Sequence, residues 1–142
     1  MPLPNSENAR KGRDFEEKVR QCLSKLYKTS FHEQSVNIGT PSKAHKFDLV
    51  SDNKDIIVEC KNFSWTETGN IPSAKMGFLN QAVLFFSHAP KEATKIIVMR
   101  KDSHSKRKET LAEYYVRTYN HLLKGIHVKE LDIDSMRLKN VK

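Results

Sequence analysis

Several familiar signatures are missing from this chain. Its two cysteines, Cys22 and Cys60, form no CxxC, and its six histidines are scattered, so no zinc site is expected. No apolar run has the length of a membrane span. The opening residues, MPLPNSENARKGRDF, lack the apolar core of a secretion signal. The expectation is a cytoplasmic chain with reduced thiols and no membrane contact. Internal repeats and low-complexity stretches are also lacking. Hydrophobic residues make up only 37% and charged ones 30%, with both signs mixed, as in a folded domain with a wet surface.

What the chain does have is positive charge. Lys and Arg number 25 against 17 Asp and Glu, a net of +8 over 142 residues. That length suits one domain with a real core. The surplus favours polyanionic partners, nucleic acid first, although a merely basic surface carries the same number.

Apolar spacing organises the chain. Residues 1–9, with Pro2 and Pro4, read as a loose arm. Over 10–27, Phe15, Val19, Cys22, Leu23 and Leu26 form a helical stripe. Strands are predicted over 31–38, 45–50, 55–61, 95–99 and 126–131. Helices are predicted from Ser73, a possible cap, to about 87, and over 109–124, with Leu111, Tyr115, Tyr119 and Leu122 inward and Gly125 as the stop. Residues 10–134 then form one domain, and 135–142 a tail. The order α-β-β-β-α-β-α-β argues for a mixed sheet flanked by helices, an α/β (mixed) class.

The segment KAHKFDLVSDNKDIIVECKNFSW (43–65) sets acids where strands usually bury apolar groups. With SDNK as the turn of a hairpin, Asp48 falls across from Ile57, on the face opposite Phe47 and Leu49. Glu59 is then its diagonal neighbour, roughly 7–8 Å away at the backbone. Two carboxylates so placed suit Mg²⁺ or Mn²⁺, which take oxygen ligands and need only one or two from protein. Lys61 shares the face of Glu59 and can neutralise charge building on a phosphate. The three form a unit for metal-assisted phosphodiester hydrolysis. A solvated strand face with Lys61 paired to either acid reads the same way in sequence alone.

Asp48 followed by IVECK (57–61) resembles the D…ExK signature of the PD-(D/E)xK nucleases, the restriction-endonuclease-like superfamily. Phe47 stands where the family usually has proline. The resemblance covers about residues 10–100. It implies a restriction-endonuclease-like α-β-β-β-α-β core, with the aspartate on the second strand and ExK on the third. It also implies a Mg²⁺- or Mn²⁺-dependent endonuclease acting on duplex or branched DNA, often as a homodimer. Asp48 and Glu59 would be its metal ligands and Lys61 its third catalytic residue. In this family the carbonyl between E and K often ligates the metal, which gives that place to Cys60. Members often carry a glutamate on the first helix. Glu16 lies at the margin of the apolar face and fits better than Glu17, though pairing with Arg20 is its ordinary role. Some branches place a glutamine on the helix after ExK, the position of Gln81.

Other basic residues are open to two readings. Lys43 and Lys46 precede Asp48, and Lys106 and Arg107 lie in a basic loop. Each is a candidate phosphate contact or a plain solvated charge. Trp65 is expected in the core. The alternative function is a binding module on a nuclease-like fold that holds nucleic acid or a protein without turnover.

Overall fold

A computed structural model describes residues 5–142. Helix α1 (Asn5–Tyr27) is followed by β1 (Phe31–Ile38), β2 (Lys43–Ser51) and β3 (Ile56–Lys61). Then come α2 (Ser73–Ser87), β4 (Thr94–Arg100), α3 (Leu111–Tyr119) with a short 3-10 turn (Asn120–Leu122), β5 (Ile126–Asp132) and β6 (Arg137–Asn140). The six strands lie in one mixed sheet in chain order. β1, β2 and β3 are antiparallel neighbours, β3, β4 and β5 are parallel, and β6 returns antiparallel.

The strand sequences explain the layers. In β4, Ile96 and Val98 pack with Phe15, Val19 and Leu23 of α1, while Ile97 and Met99 pack with Leu79 and Phe86 of α2 and Tyr115 of α3. Every side chain from Ile96 to Met99 is buried, so both faces of this central parallel strand are covered. The crossovers through α2 and α3 pass over the same face, as two crossovers of one hand stepping in one direction must. α1 covers the other face.

Several boundaries differ from the sequence expectations. α1 begins at Asn5, so residues 5–9 are helical rather than a loose arm; 1–4 lie outside the described residues. Apolar periodicity misses this turn because NSENA (5–9) offers no apolar residue but Ala9. Leu26, placed on the stripe, is 55% exposed and lines a groove with Lys129 and Leu138 instead. Pro72 rather than Ser73 holds the N-cap position of α2. α3 starts two residues late because Thr110 caps it: its hydroxyl accepts from Glu113 N, and Glu113 Oε1 accepts from Thr110 N. Leu122, expected inward, is exposed in the 3-10 turn. The expected tail 135–142 instead includes β6, whose Leu138 pairs with Leu131 of β5.

Candidate functional site

The hairpin of β2 and β3 is longer at its turn than SDNK. Val50 pairs with Ile57 and Leu49 with Val58, so continuing that register sets Asp48 against Glu59, not Ile57. Ser51 closes the turn, with its hydroxyl accepting from Ile56 N at 2.9 Å, and Lys54 takes the left-handed backbone, φ 61°. The two acids are therefore direct rather than diagonal neighbours. Asp48 N donates to Glu59 Oε2 at 3.2 Å, and Asp48 Oδ2 accepts from Cys60 N at 2.8 Å.

A β-bulge aims Asp48. His32 of β1 pairs with Val50, but Gln34 pairs with Phe47, so Asp48 and Leu49 together face the single residue Glu33. Strict alternation breaks there. Phe47 packs on the α2 and α3 side while Leu49 packs on the α1 side, against the expectation that they share a face. Asp48 lines the cleft beneath α1, together with Glu16.

The electrostatics of these acids follow from crowding. Burial, then the charges of Asp48 and Glu33, pushes the Glu16 carboxyl up to about 7, and Lys61 pulls the other way. Glu59 is 7% exposed, and its carboxyl is also raised, by burial first and by Asp48 second. Lys61 opposes both shifts. Cys60 is half-buried against the α1 cluster, and burial pushes its thiol well up. Its N–H points to Asp48, and a strand residue's C=O points the same way, so the Cys60 carbonyl faces the aspartate side.

The cleft is about 880 Å³ and opens between α1 and the carboxyl ends of the parallel strands β3 and β4. Open sheets bind ligands at such ends. Asp48, Glu16 and Lys61 share it with Lys11 and Lys18 of α1, Lys75 of α2 and Arg100 of β4. Of these, the sequence reading missed Lys11, Lys18 and Lys75. Arg100 had a signal, a charge closing the buried run KIIVM. Lys11, Phe15 and Lys18 had another, a shared helix face at spacings of four and three. A smaller groove of about 620 Å³, lined by Cys22, Leu26 and Lys129 among others, has no carboxylate in its wall.

Other expected site residues stand apart. Gln81 is exposed on α2 and is not among the cleft-lining residues. Lys43, Lys46, Lys106 and Arg107 are also outside it. Lys46 approaches Glu33 at 3.7 Å. Arg107 lies 4.4 Å over the buried Trp65 ring and donates to Gly69 O at 2.7 Å, a role in holding the loop. Glu16 makes no pair with Arg20, which binds Glu17 instead.

Among the described residues no group of three His, Cys, Asp or Glu side chains is arranged to hold a metal ion. The donors at hand are carboxylate oxygens, and burial first and the nearby Asp48 second raise the Glu16 and Glu59 carboxyls. A hard divalent cation with few protein ligands fits that set. No helix among the described residues is long and apolar enough to cross a membrane. Comparisons with protein-family models, curated proteins and solved structures find no match for this chain.

Proposed function

We propose that this chain is a metal-dependent DNA endonuclease of the PD-(D/E)xK type, with Asp48, Glu59 and Lys61 as its catalytic unit. The observation that carries the reading is the direct pairing of Asp48, which lines a basic cleft with Lys61, with Glu59, which is buried and not itself among the lining residues. The order α1-β1-β2-β3-α2-β4, with the aspartate on the second strand and ExK on the third, agrees with the restriction-endonuclease-like core.

Asp48 and Glu59 would hold Mg²⁺ or Mn²⁺, with the Cys60 carbonyl beside them. The bound ion supplies polarisation of the phosphate and a more acidic water. Lys61 places its ammonium where negative charge grows on the phosphate oxygens. Glu16 faces the same space and, with a carboxyl near 7, can accept or return a proton at neutral pH. Lys11, Lys18 and Arg100 hold the backbone of the strand. One cleft cuts one strand, so a symmetric duplex cut takes two copies.

Cleavage of supercoiled, linear and branched DNA with Mg²⁺ or Mn²⁺ tests this. Asp48→Ala and Lys61→Ala should each lower the rate about 100-fold or more, and EDTA should abolish it. DNA binding without cutting, unchanged by Asp48→Ala, would leave a binding module.

A further inference from the structure

Beside the catalytic unit the cleft wall changes character. Asn62, Phe63 and Ser64 continue directly from Lys61 and line it. Phe63 meets Phe78 of α2 with ring centroids 6.5 Å apart, and Phe78, next to the lining residues rather than one of them, is 49% exposed. The ammonium of Lys75 stands 5.2 Å from the Phe63 centroid and 5.7 Å from that of Phe78. Arg100 donates to the Ser64 hydroxyl and lies 3.5 Å from Asp102. Its Nε and the Oδ1 of Asn62 are buried atoms with no hydrogen-bond partner in the protein.

These groups pack on one another, yet leave an apolar ring face in water beside two cations. An aromatic ring left half in water keeps part of its apolar area unburied. A ligand with a flat apolar face, a polar edge and a negative charge would cover that ring and meet the cations beside it. A nucleotide has those parts. Its base can stack on an exposed ring, its edge can meet the Asn62 amide, and its phosphate can meet Arg100 and Lys75. Inside a duplex the base faces are covered by their neighbours, so a ring beside this cleft can engage only a base that is unpaired.

We infer that Asn62, Phe63, Ser64, Lys75, Phe78 and Arg100 form a subsite for an unpaired nucleotide next to the phosphate held at Lys61. The substrate class is then DNA with single-stranded character at the cut: a single strand, a flap or an opened junction rather than continuous duplex. The inference rests on the nuclease reading for the role of Lys61 and on the wall itself for the rest.

Binding is measured in EDTA, so that nothing is cut, by fluorescence anisotropy with a labelled single strand and the matching duplex. Wild type should prefer the single strand by about tenfold, the worth of one stacked base. Phe78→Ala should lose that preference while duplex affinity stays, and Phe78→Trp should keep it. Arg100→Ala should lower the salt slope for the single strand by about 0.7, one phosphate contact. A 2-aminopurine in the strand should change its fluorescence with wild type and not with Phe78→Ala, a signal that loss of a purely structural ring would not produce. Equal affinity of wild type for the two DNAs overturns the subsite, as does a Phe78→Ala variant that keeps the preference, or no nucleic-acid binding at all. Failure of the nuclease reading looks different. Single strands would still bind through Phe78, and no DNA would be cut when Mn²⁺ is supplied.

Discussion

Glu16, Asp48 and Glu59 are forced together by three local facts: a bulge, a direct cross-strand pair and a helix margin. Their crowding has a measurable sign. Below pH 4.5 the Glu16 carboxyl is protonated in both the folded and the unfolded chain, so its raised folded value favours the fold fully there. That contribution is lost as pH rises through about 7, because the folded chain must then carry a charge that burial and Asp48 oppose. Glu16→Gln should therefore match wild type in urea unfolding below pH 4.5 and exceed it above pH 7. The gain should be about 1 kcal/mol, because the side chain is half in water and screened. A variant less stable above pH 7 would mean that Glu16 has a favourable partner instead. Asp48, Glu59 and Lys61 were legible in the sequence, since each breaks an apolar strand. The bulge was not: its evidence is in β1 pairing, and nothing in KFDLV (46–50) marks the extra residue. It changed which face Phe47 and Asp48 take.

At the scale of elements, α1 belongs to the site as much as to the core. Phe15, Val19 and Leu23 are its buried contacts, and Glu16 reaches the cleft only while they stay docked. Leu23→Ala should cost about 2–5 kcal/mol in urea unfolding, from lost burial and the cavity left behind. A smaller cost would mean that the helix end is loosely held. The start of α3 offers a second case. Thr110 caps the helix and also donates at 2.8 Å to Glu130, which is 1% exposed. Thr110→Ala should cost about 1–3 kcal/mol, more than a surface cap, because it strips a buried carboxylate of a partner. The long apolar elements were readable from sequence because burial on both faces leaves continuous or periodic runs. β6 was not, since Arg137, Lys139 and Asn140 leave only Leu138 to signal a strand. Its turn is set by Asp132, whose Oδ1 accepts from Asp134 N at 3.0 Å, and by Met136 at φ 58°.

For the whole molecule, a net charge of +8 gains direction from the cleft. Lys11, Lys18, Lys61, Lys75 and Arg100 converge there, while Lys43, Lys46 and Lys106 lie outside it. DNA affinity should fall steeply with salt. Lys18→Ala should reduce the log–log slope by about one contact, and Lys106→Ala should leave it unchanged. Equal losses for both would mean that the surface binds diffusely. Composition announced the surplus, but only the folded sheet shows which cations share a space with the acids. The central claim is that Asp48 and Glu59 form one divalent-cation site. Calorimetric titration of the whole chain with Mn²⁺ tests it most directly, with Asp48→Ala beside wild type. One site per chain in wild type, absent from the variant, is the expected result. No heat in wild type, or the same binding in both proteins, would contradict it.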